Sequence, residues 1–193
     1  MERERLYMMA LMPPPELTER IETIRKTFAE AYHCKAALKP PVHITLYPPY
    51  KESEAHEDEL KTVLAMWCSH QKSFDVHLSG FNAFRQNGVI FIDVKENLHL
   101  KDLHKGFTTQ MTKLLQPDLK NHQSYHPHIT IGYRDIPPAL FSEAVKDYLS
   151  QKFQASFAVD AVYFWRHNGK YWETIQTFPF QKQENSIRQS ALF

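Results

Sequence analysis

The stretch His43-Ile44-Thr45-Leu46 returns as His128-Ile129-Thr130-Ile131, 85 positions later in a chain of 193 residues. Side chains alternate between the two faces of a β-strand, so each copy puts its His and Thr on one face and its aliphatic residues on the other. Two such strands facing each other would present two imidazoles, which titrate near neutrality, and two neutral hydroxyl donors. The pair predicts a polar site shared by two strands.

Prolines lead into both copies of the motif. Pro40-Pro41 favours an extended entry into the first copy, and Pro127 stands directly before the second. Pro48-Pro49 predicts that the first strand ends just after the motif, because proline cannot donate to a sheet hydrogen bond.

The elements around the two copies follow the same order, with period-two runs for strands and three-to-four spacing for helices. Strands are expected at 6–12, 42–47, 74–78, 89–94, 127–133, 157–159 and 171–178. Helices are expected at 16–32, from within the acidic stretch 52–59 to about 67, at 98–115 and at 138–149. This order predicts an α+β fold of two pseudo-symmetric lobes, each a mainly antiparallel sheet with outer helices, around a cleft that carries the motif strands. The expected organisation is a single domain over 1–193, with pseudo-repeats at about 6–81 and 88–179 and a polar tail at about 181–193.

Composition narrows the class of function. A net charge of +1 gives no global attraction to nucleic acid, so any RNA contact must come from a local patch. Cys34 and Cys68 have no CxxC spacing and no secretory context, which argues against a disulfide framework. The apolar run at 6–12 is too short for a signal peptide or a membrane span. We expect a cytoplasmic monomer with no membrane partner.

Two opposed histidines suit the opening of a cyclic phosphodiester. One imidazole can take a proton from water while the other protonates the departing sugar oxygen, and each transfer contributes on the order of 10²- to 10⁴-fold. Thr45 and Thr130 would hold the non-bridging phosphate oxygens through neutral hydroxyl donors. This scheme needs no metal and no cofactor.

With its two motif copies, the sequence resembles the two-histidine phosphoesterases, which carry a tandem HxTx signature. Bacterial members of that family are known as 2′-5′ RNA ligases or RNA 2′,3′-cyclic phosphodiesterases. The resemblance covers essentially the whole chain. It implies hydrolysis of RNA or nucleotide 2′,3′-cyclic phosphates to a 2′-phosphate, with His43 as proton donor to the leaving oxygen and His128 as base toward water. It also implies that Thr45 and Thr130 clamp the phosphate, and that RNA ends or small cyclic-phosphate nucleotides are the partners.

Two further residues are candidates for the site. Family members commonly carry an arginine soon after the second motif, and the match here is Arg134, one place later than usual. Strand alternation puts Arg134 on the face of His128, unless a bulge at Gly132 reverses the order. The same alternation puts Tyr47 on the face of His43, where its ring would line the cleft or simply pack in the core.

Other interpretations stay open. His122, His126 and His128 could suggest zinc, but no cysteine or carboxylate stands at a familiar ligand spacing, so no metal site is predicted. A non-catalytic module that binds a nucleotide or an RNA end is the main alternative, and intact His and Thr in both motifs argue against it. A phosphodiesterase acting on another cyclic or 2′-5′ linked substrate is a third. Ligation of 2′-5′ ends would be the reverse of the same step, without ATP.

Overall fold

The computed structural model of the protein describes residues 3–115 and 125–181. These ranges contain eight strands and four α-helices. In chain order they are β1 (Glu4–Leu11), α1 (Pro15–Ala31), β2 (Ile44–Ser53), α2 (Glu57–Cys68), β3 (Phe74–Phe84), β4 (Val89–Val94), α3 (Leu98–Leu115), β5 (His128–Gly132), α4 (Pro138–Leu149), β6 (Gln154–Val159), β7 (Ala161–His167) and β8 (Trp172–Pro179).

Local sequence explains where these elements begin and turn. Pro15 and Pro138 occupy first-turn positions of α1 and α4, where a missing N–H costs nothing. The first turn of α2 is acidic, which suits the positive end of its dipole. Gly88 has a φ of 62° and ends the short turn between β3 and β4, a conformation that glycine adopts without strain.

The strands form two antiparallel four-stranded sheets that repeat one plan. Sheet one has the order β2-β1-β7-β8 and sheet two the order β5-β4-β3-β6. The predicted α+β fold with two pseudo-symmetric sheets is confirmed. The motif strands β2 and β5 occupy the same edge position in their sheets, and each sheet draws strands from both halves of the chain.

The helices join the two sheets into one packed unit. Helix α1 follows a strand of sheet one but packs against β5 of sheet two, whereas α3 follows a strand of sheet two and packs against β2 of sheet one. A single hydrophobic cluster accordingly includes Phe28 of α1, Phe107 of α3, Ile44 of β2 and Ile129 of β5. This crossing of helices fixes the motif strands relative to each other.

Strand β2 is longer than the sequence predicts. It continues through Pro48-Pro49 to Ser53, and Tyr50 and Lys51 pair with β1 beyond the prolines. The prediction that these prolines end the strand is wrong for a physical reason. Strand β2 lies at the sheet edge, and the register shifts by one residue across the prolines, so their missing N–H groups break no required ladder bond.

Within the described residues, no helix is long and apolar enough to cross a membrane. The predicted polar tail from about 181 lies, apart from its first residue, outside the described residues, as does His122.

Candidate active site

The two motif strands meet where the edges of the sheets approach each other. Strand β2 contacts β5, and the Tyr125 hydroxyl, just before β5, donates to the backbone carbonyl of Thr45 at 3.2 Å. The imidazoles are also close enough for a proton on His128 to lower the pKa of His43. The structure therefore brings both motifs to one place.

The motif side chains divide between two environments, as alternation requires. His43, Thr45, His128 and Thr130 are half-exposed. Their aliphatic neighbours, Ile44, Leu46, Ile129 and Ile131, are each at most 1% exposed. One face of each strand thus belongs to the core, and the other is open to a ligand.

Both imidazoles are held by the same backbone interaction. His43 Nδ1 lies 2.7 Å from the carbonyl oxygen of Pro41, and His128 Nδ1 lies 2.7 Å from that of His126. A carbonyl can only accept, so Nδ1 must carry the hydrogen in each ring. Nε2 is therefore the atom that gains or loses a proton, and it has no partner among the described residues.

The surroundings of His43 favour its neutral form. The pKa of His43 is lowered to about 4, mainly by burial and further by positive charge on Arg25 and His128, while the bond to the Pro41 carbonyl acts to raise it. The edge of the Trp165 ring contributes to the burial, with centroids 5.1 Å apart. At neutral pH the free protein holds this imidazole unprotonated.

The surroundings of His128 differ in charge. Burial also lowers the pKa of His128, with the rings of Phe84 and Phe91 at 5.1 and 4.8 Å, while the nearby Asp93 carboxylate acts to raise it. Asp93 accepts a hydrogen bond from Asn82 and lies 3.1 Å from His126 Nε2. The segment that orients His128 is anchored through His126 to a carboxylate.

An arginine that the sequence analysis missed supports His43. Arg25 of α1 is only 2% exposed, and its guanidinium donates to Glu22 at 2.7 Å and to the Pro40 carbonyl at 2.9 Å. The residue that orients His43 follows Pro40 directly. A signal was present in the sequence, because Arg25 interrupts the apolar stripe of α1 four residues after Ile21.

Both motif strands contain a β-bulge directly after the threonine. In β2, Ala10 pairs with Thr45 while the adjacent Met9 pairs with Tyr47, so Leu46 is an extra residue. Strand β5 repeats this, since the neighbours Phe91 and Ile90 of β4 pair with Thr130 and Gly132. A bulge breaks the alternation, so residues beyond it cannot be assigned to a face by counting.

The bulge explains the position of Tyr47. Its ring is 2% exposed and packs in the core against Tyr50 and Phe107 of α3. Alternation predicted that Tyr47 lies on the half-exposed face with His43. The structure does not bring it there. The equivalent residue in the second motif, Gly132, likewise faces the core against Phe28.

Arg134 lies beyond the end of β5. It is exposed, has a φ of 55°, and its guanidinium lies 4.6 Å over the Tyr133 ring. Its side chain thus lies against an aromatic neighbour and makes no hydrogen bond to a motif residue that the structure describes. Among the residues described, no group of three His, Cys, Asp or Glu side chains could hold a metal ion.

Two antiparallel sheets that present a His-x-Thr strand at each facing edge define a fold of the two-histidine phosphoesterase class. The family model of the 2′-5′ RNA ligase superfamily matches residues 13–170, and the chain belongs to that superfamily. Family and fold together support a phosphoesterase or 2′-5′ RNA ligase-like class of function. No curated protein matches the sequence significantly.

Several solved structures share the fold. Escherichia coli LigT complexed with 3′-AMP is 19% identical, with 93% of this chain and 99% of that chain covered and a TM-score of 0.71. TT0787 of Thermus thermophilus is 19% identical, with 93% and 100% covered and a TM-score of 0.65. A third structure, of a phosphoesterase, is 20% identical over 93% and 99%, with a TM-score of 0.68. Identities this low establish likeness of fold alone.

Proposed function

We propose that the protein hydrolyses 2′,3′-cyclic phosphates of RNA ends or nucleotides to 2′-monophosphates, without a metal. The observation that carries the proposal is the matched pair of imidazoles. Each is held through Nδ1 by a backbone carbonyl, and each leaves Nε2 on the half-exposed face of its motif strand. Two positioned groups that exchange protons are what displacement at a phosphodiester requires.

The proposed reaction assigns one proton transfer to each histidine, in the order that family resemblance implies. His128 Nε2 takes a proton from water as the water oxygen bonds to phosphorus. The bond from phosphorus to the 3′-oxygen breaks, and His43 Nε2 supplies that oxygen with its proton. The product is a 2′-phosphate, and the proton gained by His128 restores His43 through solvent.

This order requires His43 to be protonated in the substrate complex, although burial and Arg25 lower its pKa in the free protein. A phosphodiester carries a negative charge, and an anion against Nε2 favours the protonated ring. Substrate binding thus supplies the charge that the free site lacks. The Asp93 carboxylate acts to raise the pKa of His128 without substrate. A substrate whose leaving group needs no protonation distinguishes this order of transfers from its opposite.

The two motif hydroxyls are proposed as the phosphate clamp. Neither Thr45 nor Thr130 uses its side-chain oxygen in a hydrogen bond to another described residue, and both are half-exposed beside a motif histidine. Each can therefore donate to a non-bridging oxygen as charge develops. A clamp role for Arg134 would require its guanidinium to leave the Tyr133 ring.

The direct test is turnover of a panel of 2′,3′-cyclic nucleotides by the purified protein, with ³¹P NMR to separate 2′- from 3′-monophosphate. We expect 2′-monophosphate, and a double variant, His43→Ala with His128→Ala, controls for contaminating nucleases. Tight binding without turnover would instead favour the binding module, and turnover of only 2′-5′ linked dinucleotides would redefine the substrate.

Ligation of RNA ends is a second candidate, and membership of the 2′-5′ RNA ligase superfamily favours it. A 5′-hydroxyl would attack the cyclic phosphate in place of water and form a 2′-5′ linkage without ATP. Incubation of RNA ends that carry a cyclic phosphate and a 5′-hydroxyl tests this.

One chain supplies both histidines, so we propose a monomer as the active form.

A further inference from the structure

Sheet one carries a second hydrophobic cluster on its motif face. Met8, Ala10 and Trp165 are at most 3% exposed there, and Met12, Tyr163 and Trp172 are partly buried around them. All six belong to or directly flank β1, β7 and β8, and no residue of a helix is among them. Alternate residues of the same strands, such as Met9 and Phe164, face the helices in the main core.

This cluster continues directly from His43. The small residue Ala10 pairs with Thr45 of β2, and Trp165 reaches His43 with an edge contact at 5.1 Å. Trp172 follows, with its ring centroid 6.5 Å from that of Trp165, and the His167 ring packs against Trp172 at 5.2 Å. An apolar, partly open surface therefore leads from the imidazole toward the hairpin between β7 and β8.

The surroundings of the other histidine have a different character. The rings of Phe84 and Phe91 are in contact with His128 itself, and next to them lie hydrogen-bonded polar groups, namely Asn82, Asp93 and His126. A phosphate between the histidines thus has an aromatic surface on the His43 side, whereas on the His128 side hydrogen-bonded polar groups lie next to the two phenylalanine rings. Water belongs on the polar side, and a flat apolar group belongs on the aromatic side.

We infer that the aromatic surface formed by the partly buried Met12, Tyr163 and Trp172, which pack against the buried Trp165, binds the base of the nucleoside whose phosphate lies between the histidines. This inference rests on the proposed function and specifies its substrate as one that carries a base on the His43 side. Aromatic rings stack on any base, since each base has a π-face, so the surface selects nucleosides over simple phosphodiesters with little sequence preference. A base there also brings its own sugar oxygen beside His43.

The same surface accounts for a polar group that lacks a partner. The indole Nε1–H of Trp165 is buried without a hydrogen-bond acceptor among the described residues. Buried donors of this kind are uncommon in folded proteins. Ring nitrogens and carbonyls of a base are hydrogen-bond acceptors of the kind that this N–H lacks.

The test compares Trp172→Ala with Tyr171→Ala. Tyr171 is the adjacent aromatic residue, is 56% exposed and does not belong to the cluster, so it is a matched control. Calorimetry would give the affinity of each variant for adenosine 2′-monophosphate and for inorganic phosphate. We expect Trp172→Ala to weaken nucleotide binding roughly 10- to 100-fold and to leave phosphate binding unchanged. Tyr171→Ala should change neither, and Trp172→Phe should recover most of the nucleotide affinity.

Equal loss of nucleotide and phosphate affinity in Trp172→Ala would overturn the inference, because it would indicate general damage to the site. Unchanged nucleotide affinity, or the same loss in Tyr171→Ala, would overturn it as well. The readout is binding, so it separates this inference from the proposed hydrolysis. Turnover by the wild type with no effect of Trp172→Ala would refute the base site alone, whereas a Trp172-dependent affinity without turnover would refute hydrolysis alone.

Discussion

Gly132 should be the least replaceable small residue of the motif strands. It is the last residue of β5, and a Cβ added to it would lie 2.3 Å from Phe28 Cε1, 2.6 Å from Phe28 Cζ and 2.9 Å from Ile136 Cδ1. The Phe28 ring is fully buried and packs against Tyr32 at 4.7 Å and Tyr148 at 4.9 Å, so it has little room to withdraw. Gly132→Ala must displace either the ring or the strand.

Overpacking of a dense core costs about 1–3 kcal/mol, and a contact this short places the variant at the upper end. In a chain of this length each kcal/mol lowers Tm by about 2–4 °C, so Gly132→Ala should lower Tm by roughly 6–12 °C. Displacement of β5 also moves His128, so kcat for any motif-dependent reaction should fall more than the loss of folded protein explains. Thermal denaturation followed by circular dichroism measures the decrease in Tm.

The control is Gly106→Ala on α3, where the added Cβ would meet only Trp67 Cζ2 at 3.3 Å and alanine is the better helix former. A shift within about 2 °C is expected there. In a Phe28→Leu background, Gly132→Ala should cost less than in the wild type, because the clashing ring is gone. An unchanged Tm for Gly132→Ala, or the same loss in both backgrounds, would refute this reasoning.

Four further outcomes are expected. His43→Ala and His128→Ala should each lower the rate of hydrolysis on the order of 10²-fold or more, with substrate binding retained. A substrate whose leaving group needs no protonation should rescue only His43→Ala. Rescue of His128→Ala instead would exchange the two roles. Thr45→Ala and Thr130→Ala should each remove a charge-assisted hydrogen bond of about 1.5–3 kcal/mol, seen as a rise in KM, and no rise would exclude the clamp. The pKa of His43, about 4, lies below its unfolded value, so the unfolded chain binds the extra proton and the free energy of unfolding should fall as pH drops from about 6.5 toward 4. Urea denaturation should show a shallower fall for His43→Gln, and an equal fall would assign the effect elsewhere. Activity should survive EDTA, and loss of activity that zinc or manganese restores would contradict the metal-free scheme.

Local rules were sufficient for the parts of the fold that depend on chain neighbours. Strand alternation placed His43 and Thr45 on one face and Ile44 and Leu46 on the other, because the geometry of a pleated strand is fixed over a few residues. Helix periodicity located α1 and α4 nearly to the residue, since their prolines and apolar stripes mark both ends. The repeated motif also predicted the two-sheet fold, because each copy needs its own strand.

The tertiary structure alone decided features that depend on distant partners. The bulges at Leu46 and Ile131 arise from pairing with neighbouring strands, and they turned Tyr47 into the core against a prediction that counted residues along one strand. Burial of Arg25 beside the Pro40 carbonyl and the contact of Trp165 with His43 likewise join residues far apart in the chain. The sequence thus determined which groups the motif strands present, because side-chain direction is local. Packing between sheets and helices determined what surrounds these groups, and this burial lowers the pKa values of both histidines.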